Sequence, residues 1–208
     1  MAEAAAGRRR TNRRGEATRQ TILDAARRTL ASGDPQAASA NHIAKLVGAT
    51  WGAVKYQFGD VDGLWAAVLN DIGVRRGELV LAVDGDLPIE ERVTTIVELL
   101  WRGLDTPDAR AIENLRSSLP SRREELERSY PQTAEALASW QAGWVEACQD
   151  AFADLDVDPV RLREVAAFLP GAMRGLTSEE HLGTYSDLDV ARRGLAHAIA
   201  AYLGRPEA

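Results

Sequence analysis

The chain has 208 residues, of which 45% are hydrophobic, and a formal net charge of -6 at pH 7. This length is enough to bury a core in one compact unit, or in a small domain joined to a larger one. No stretch approaches the roughly 20 apolar residues of a membrane span, and the arginines near the start precede no apolar run, so we expect a cytoplasmic protein without a membrane partner. The single cysteine, Cys148, excludes an internal disulfide and a cysteine-built zinc site, and we expect it to be a small buried hydrophobe.

The charge is distributed unevenly along the chain. Residues 1–60 hold ten Lys or Arg against five Asp or Glu, whereas the remainder holds fifteen against twenty-six. A basic end on an acidic body is the distribution expected of a protein that docks one end on a phosphate backbone.

Residues 1–15 carry five arginines and lack apolar residues at helical spacing, so they are predicted to be a disordered basic arm in the free protein. Two interpretations remain open, a solvated tail and an arm that adds phosphate or minor-groove contacts on DNA. From Thr18 to Ser32 apolar residues follow helical spacing, and Gly33-Asp34-Pro35 ends the pattern. This segment is the first predicted helix.

A short second helix is predicted directly after residue 39. Its apolar stripe consists of Ile43, Ala44, Leu46 and Val47. Ser39 or Asn41 can accept hydrogen bonds from its free amide groups as an N-cap. Gly48 follows the stripe and can adopt the left-handed conformation without steric cost, which favours a sharp turn between two helices.

A third helix is predicted to begin after Thr50, which is a good N-cap. Val54 and Phe58 lie four residues apart and should face inward. The outward set would then comprise Trp51, Lys55 and Tyr56. The rings of Trp51 and Tyr56 and the cation of Lys55 suit contacts in a DNA groove. Thr50 and the N-terminus of this helix can bind a phosphate.

These residues resemble the TetR family of transcriptional regulators. The family pattern runs from threonine through Ile-Ala, a helix, Gly-Val-Ser, Gly-Thr-Leu-Tyr and Phe to Ser-Lys-Glu and a leucine. The matching positions, in register and without gaps, are Ser39, Ile43, Ala44, Gly48 to Thr50, Gly52 to Val54, Phe58 and Leu64. Three positions depart from the pattern: Lys55 replaces a tyrosine, Gln57 an aromatic residue or histidine, and Val61 the lysine that reaches a phosphate. The resemblance covers about the first third of the chain.

The resemblance implies an all-α fold, with an N-terminal three-helix DNA-binding head over residues 16–60. A larger helical effector-binding and dimerisation body would follow over residues 61–208. The predicted base contacts are Trp51, Gly52, Ala53, Lys55 and Tyr56, with Asn41 from the preceding helix. The predicted phosphate contacts are Ser39, Thr50 and Gln57.

Beyond the head, helical spacing continues and no strand pattern occurs. The predicted helices are Asp62 to Val83, Ile89 to Leu104, Asp108 to Leu119, Glu124 to Leu155, Pro159 to Thr177 and Leu188 to Leu203. The last two have broad apolar faces and could pack within one subunit. The resemblance instead implies that they dock on a twin as a four-helix bundle, where Gly171, Gly175 and Gly194 allow a close approach. We therefore expect a homodimer.

Four large aromatic residues could mark an effector site: Trp101, Trp140, Trp144 and Phe168. One interpretation is that they fill ordinary core, since large aromatics at helical spacing usually fill volume. The other is that they line an apolar cavity, in which case the effector is a small hydrophobic or aromatic molecule.

The sequence therefore predicts a transcriptional regulator that binds palindromic double-stranded DNA as a homodimer, a repressor released by a small hydrophobic effector. One alternative is a small-molecule sensor or activator in which DNA binding is secondary, and another is a helical enzyme. We expect neither catalytic residues nor a cofactor or metal, because the three histidines are scattered and no ligand spacing is present.

Overall fold

Helices make up most of the part of the chain that the structure describes. The computed structural model describes residues 2–33, 39–76, 86–183 and 185–205. Over these residues the chain forms ten helices and no strand, which confirms the all-α fold class. The helices are α1 (Ala2–Ala31), α2 (Ala40–Leu46), α3 (Trp51–Phe58), α4 (Val61–Arg76), α5 (Ile89–Leu104), α6 (Pro107–Ser118), α7 (Arg123–Ser129), α8 (Pro131–Ala151), α9 (Pro159–Leu182) and α10 (Leu188–Leu203).

The first helix is longer than the sequence predicted. α1 begins at Ala2, so the backbone of residues 2–15 is helical where we expected disorder. Alanine and arginine have high helix propensity, and extension of an existing helix needs no new nucleus. The predicted end of the fourth helix at Val83 falls outside the described residues.

The predicted helix from Glu124 to Leu155 is divided into α7 and α8. Tyr130 leaves the helical conformation, with φ -139° and ψ 60°, and α8 begins at Pro131. Proline disfavours the helical conformation in the preceding residue but fits the first position of a new helix. Pro131 therefore begins a second helix instead of continuing the first.

One compact unit comprises Met1–Gly77 and Pro107–Ala138. Within it, α1 packs on α2, α3, α4 and α6. Its buried side chains include Ile22, Leu30, Ile43, Val54, Leu64, Trp65, Leu69, Ile72 and Leu115. Polar contacts join α6 to α1, because Arg27 Nη1 lies 2.8 Å from Asp108 Oδ1 and Asn114 Nδ2 donates to the Leu30 carbonyl at 2.7 Å.

The other unit comprises Glu78–Thr106 and Ser139–Ala208, where α5 packs on α9 and α10, and α10 on α9. Its core includes Val93, Ile96, Val97, Trp144, Cys148, Phe152, Leu162, Val165, Leu169, Met173, Ile199 and Leu203. Because α4 and α6 pack on α1, the first unit extends beyond residue 60.

Candidate nucleic-acid interface

The turn between α2 and α3 is defined by local backbone bonds. Gly48 has φ 64°, the left-handed conformation that its position after the apolar stripe predicted. The Ala49 amide donates to the Ala44 carbonyl at 2.9 Å, and the Gly48 amide donates to the Lys45 carbonyl at 3.1 Å. This pair of bonds is a Schellman motif, which satisfies the carbonyls at the end of α2 and fixes the direction of the chain into α3.

Side-chain caps fix the start of both helices. Ser39 Oγ accepts from the His42 amide at 3.4 Å, and Thr50 Oγ1 accepts from the Ala53 amide at 3.2 Å. Neither α2 nor α3 has an acidic residue in its first turn. The partial positive charge at the start of α3 is therefore not offset locally, which favours a phosphate near Thr50.

The inner side of α3 is buried as predicted. Val54 is completely buried, and Phe58 is 8% exposed. The guanidinium carbon of Arg19, on α1, lies 4.7 Å from the centre of the Phe58 ring, a cation–π contact. This contact is not predictable from local sequence, because Arg19 and Phe58 are 39 residues apart in the chain.

The outer side of α3 carries most of the predicted base contacts. Tyr56 is 87% exposed and Trp51 is 37% exposed, while Gly52 and Lys55 are also exposed. Positions 51, 52, 55 and 56 share one face of a helix, so the structure brings these residues together. Ala53 is half-buried at the edge of this face.

The remaining predicted contacts differ in their surroundings. Asn41 and Thr50 are exposed, and Ser39 is half-buried. Gln57 is half-buried, and its Nε2 donates to the Gly15 carbonyl of α1 at 3.3 Å. The Gln57 amide therefore already has one partner within the protein.

The turn into α4 uses residues that the family pattern matches only loosely. Asp60 Oδ1 accepts from the Gly63 amide at 2.9 Å and so caps α4. Val61, at the position of the family's lysine, is half-buried and brings no charge to the interface. Asp62, next along, is buried and bonds to α8, a contact that the sequence analysis missed.

Two solved structures share this architecture. A protein from Rhodococcus sp. assigned to the TetR family of transcriptional regulators is 22% identical, with a TM-score of 0.59, and the alignment covers 89% of this chain and 98% of that one. The multidrug binding protein EbrR, complexed with imidazole, is 19% identical, with a TM-score of 0.55, and the alignment covers 92% of this chain and 93% of that one. The chain has the TetR-family fold. No family sequence model and no curated protein sequence matches it.

The predicted resemblance is thus confirmed at the level of fold, and the likeness extends well beyond the first third of the chain. In this TetR-type fold, α2 and α3 are the helix-turn-helix, and α3 is its second helix.

The four candidate effector residues have different environments in the TetR-type fold. Trp144 is buried in the core, and its Nε1 donates to the Ala166 carbonyl at 2.7 Å. Trp101 packs against that core, with the guanidinium carbon of Arg192 4.4 Å from its ring centre. Trp140 is half-buried, whereas Phe168 is 44% exposed. The structure therefore brings Trp101 and Trp144 to one core and turns Phe168 outward.

The single thiol is buried, and no cluster of potential metal ligands forms in the described part of the chain. Cys148 is buried, as predicted, and burial raises the pKa of its thiol to about 12, so the thiolate is strongly disfavoured. Among the described residues, no three His, Cys, Asp or Glu side chains gather to hold a metal ion. No helix over those residues has the length and apolar character needed to cross a membrane.

Proposed function

We propose that the chain is a sequence-specific DNA-binding transcriptional regulator. The observation that carries this proposal is the exposed face of α3, where Trp51, Lys55 and Tyr56 lie together on a helix whose entry and direction are set by the Thr50 cap and the Gly48 turn. Exposed aromatic side chains that lie together on one helix face contribute to an apolar patch, and such patches often mark interaction surfaces. The two solved structures with this fold support the proposal.

The exposed groups suit distinct parts of a DNA duplex. Lys55 can donate to a guanine edge, and the rings of Trp51 and Tyr56 can contact a thymine methyl or sugar. Gly52 and Ala53 let the backbone of α3 approach the bases, and Asn41 can reach an adjacent base edge. Ser39, Thr50 and Gln57 would contact phosphates, which set the register of the protein on the duplex.

A homodimer would bind a palindrome, because its twofold axis matches that of the DNA. The exposed sides of α9 and α10 support a dimer. They carry the small or apolar residues Ala167, Phe168, Gly171, Gly175, Val190, Gly194, Ala198 and Ala201. A surface of this composition allows close packing of a second copy and buries apolar area when it does so.

We further propose that DNA binding is released by a small hydrophobic or aromatic effector, so that the protein acts as a cytoplasmic repressor. Two recognition helices must lie about 34 to 36 Å apart to enter successive major grooves. Some states of the dimer would hold the two recognition helices at a different distance. An effector that binds such a state more tightly than the DNA-binding state lowers the affinity for DNA by linkage. The likeness to EbrR, a multidrug binding protein solved in complex with imidazole, supports an effector of this class. In this proposal residues 16–60 bind DNA, and residues 61–208 bind the effector and the second subunit.

A second candidate function is favoured by the same comparison. A small-molecule sensor or activator in which DNA binding is secondary would also fit the likeness to EbrR. It would show ligand binding but no salt-dependent retention on a specific DNA site. A helical enzyme is less well supported, since both structural neighbours are named for binding or regulation.

The deciding experiment is a titration of the purified protein against labelled DNA from directly upstream of its own reading frame. The titration is made at about 150 mM salt, near physiological ionic strength, with excess competitor DNA. We expect saturable binding of two copies to one palindrome. Retention that competitor abolishes would reduce the interaction to non-specific attraction by the basic end, and a selection from random duplexes would then decide whether any sequence is preferred.

A further inference from the structure

The carboxylate of Asp62 lies at the N-terminus of α8, although Asp62 itself belongs to the first turn of α4. Asp62 is 6% exposed. Its Oδ2 accepts from the Gln132 amide at 2.9 Å, and its Oδ1 accepts from the Thr133 amide at 2.8 Å. The Thr133 hydroxyl donates to Oδ1 at 2.7 Å and lies 3.2 Å from the Asp62 carbonyl.

These bonds satisfy amide groups that α8 cannot satisfy itself. The first four amides of a helix lack partners within it, and Pro131 has no amide hydrogen. Tyr130, which precedes α8, has no short side-chain acceptor to serve as a cap. Asp62 therefore caps α8 from another helix, and its negative charge is placed at the positive end of the α8 dipole.

On its other side, Asp62 is joined to α3 by a tight corner. The adjacent Gly63 lies so close to the end of α3 that a Cβ atom there would be 2.0 Å from the Phe58 carbonyl oxygen. Asp60 caps α4 within the same corner. A shift of Asp62 relative to α8 would therefore displace the end of α3, because the corner has no room to absorb it.

We infer that Asp62 is a positioning residue for DNA recognition. By capping α8 it fixes the first turn of α4, and through the Gly63 corner it fixes the angle at which α3 presents Trp51, Lys55 and Tyr56. This inference rests on the proposed DNA-binding function. Base contacts depend on that angle, whereas non-specific attraction to phosphates depends mainly on charge.

The test compares specific and non-specific DNA affinity in three variants. Asp62→Asn places an amide group against the donors of α8, Thr133→Val removes only the hydroxyl bond at nearly constant volume, and Thr133→Ser retains that hydroxyl. We expect operator affinity to fall roughly tenfold or more in Asp62→Asn, the range for loss of a buried hydrogen bond to a charged group. The loss should be smaller, severalfold, in Thr133→Val, because the two amide bonds to the Asp62 carboxylate remain. Thr133→Ser should stay near wild type, and affinity for a scrambled duplex should not change in any of the three.

Asn114→Ala is the matched control for a loss of stability alone. It removes the bond from α6 to the Leu30 carbonyl of α1 in the same compact unit and leaves the bonds between Asp62 and α8 in place. Its melting temperature should fall while its ratio of specific to non-specific affinity stays at the wild-type value. If Asp62 had a purely structural role, Asp62→Asn and Thr133→Val would also lower the melting temperature and leave the ratio of specific to non-specific affinity unchanged.

The outcomes separate the inference from the function on which it rests. If the wild type binds its operator and the folded Asp62→Asn and Thr133→Val proteins bind it equally well, the inference is wrong and the function stands. If Asp62→Asn does not fold, the contrast between Thr133→Val and Thr133→Ser decides. A wild type that binds no specific duplex overturns both.

Discussion

Lys55 is the only charged residue in α3, and it lies on the exposed face of that helix. If it meets a base edge, Lys55→Ala should weaken operator binding by roughly 1 to 3 kcal/mol. The measurement is a titration of operator and scrambled duplexes with the variant and the wild type. Arg102→Ala, an exposed cation on α5, removes the same charge away from α3 and should leave operator affinity nearly unchanged.

Two results would revise the role of Lys55. An equal loss on operator and scrambled DNA would assign it to a phosphate, because phosphate contacts carry no sequence information. Unchanged affinity on both would remove it from the interface and leave Trp51 and Tyr56 as the main side chains of the proposed contact.

Asp154 gives a pH-dependent contribution to stability. The Arg92 guanidinium donates to its carboxylate, with Nη2 2.8 Å from Oδ2, and this hydrogen bond lowers the pKa of Asp154 below its usual value. Because the folded-state pKa lies below the unfolded one, the contact stabilises the protein above the unfolded pKa, about 3.9, and this stability is lost as pH falls through the folded pKa. Arg92 itself is buried, so it loses its carboxylate partner in a dry site when Asp154 is neutralised.

We therefore expect Asp154→Asn to lower the free energy of unfolding near neutral pH. The difference from wild type should narrow as pH falls below about 4, because the carboxylate of the unfolded chain is then protonated before that of the folded protein. Urea unfolding at a series of pH values measures this, with Asp156→Asn as an exposed carboxylate control. A difference that stays constant with pH would mean that the charge of Asp154 is not what stabilises the contact.

At the scale of elements, the corner between α3 and α4 depends on Gly63. In Gly63→Ala the new Cβ atom would lie 2.0 Å from one backbone atom, the Phe58 carbonyl oxygen, which cannot rotate away. We expect a loss of at least about 3 kcal/mol in the free energy of unfolding, measured in denaturant. Gly143→Ala is the control, because a Cβ atom there meets nothing within 4 Å. Because Gly143 lies in the interior of α8, Gly143→Ala should instead raise the free energy of unfolding by about 0.5 to 1 kcal/mol. Similar stabilities for both variants would show that the corner can relax.

The first half of α1 carries the arginines at positions 8, 9, 10, 13 and 14. Deletion of residues 2–14 should lower DNA affinity and flatten its dependence on salt if this segment contacts phosphates, since each such contact contributes about 0.9 to the salt slope. Replacement of the five arginines by lysine keeps the charge and serves as the matched variant. Unchanged affinity after deletion would favour a solvated segment without a role on DNA.

Local chemistry explains which elements the sequence predicted well. α5 and α10 have the predicted bounds, and the caps Ser39 and Thr50 and the turn at Gly48 are confirmed, because each depends on residues within a few positions. Helix ends are harder to predict where a helical apolar pattern continues across a residue that disfavours helix. The break before Pro131, inside the pattern from Glu124 to Leu155, is an example.

Contacts across long separations could not be predicted. The bond between Asp62 and the Thr133 amide joins residues 71 positions apart, and the Trp144 indole finds its acceptor 22 residues away on α9. Helical periodicity gives the buried face of each helix but not the partner it meets. For this reason the exposed face of α3 was predicted from the sequence, whereas the capping of α8 by Asp62 and the stacking of Arg192 on Trp101 were not.

At the scale of the whole molecule, the proposed dimer combines two weak half-site interactions into one strong interaction. In that proposal each copy would bring one α3 and a palindrome would contact both at once, so the second contact would form at a high effective concentration. The acidic remainder of the chain repels DNA, which leaves the basic N-terminal region as the favoured side for docking. Operator affinity should therefore depend on dimerisation as strongly as on any single base contact.

Substitution at the exposed glycines of α9 and α10 tests this dependence. A Cβ atom at Gly175 or Gly194 meets nothing within 4 Å in the subunit, so Gly175→Arg and Gly194→Arg should leave the subunit folded while they obstruct a second copy. We expect light scattering at micromolar concentration to show a dimer for wild type and a monomer for both variants, with operator affinity lost in parallel. Gly103→Arg is the matched control on α5, where a Cβ atom is equally unhindered, and it should remain dimeric and bind the operator. A monomeric wild type that still binds a palindrome would show that the two copies meet only on DNA, and the coupling between the half-sites would then have to come from the duplex itself.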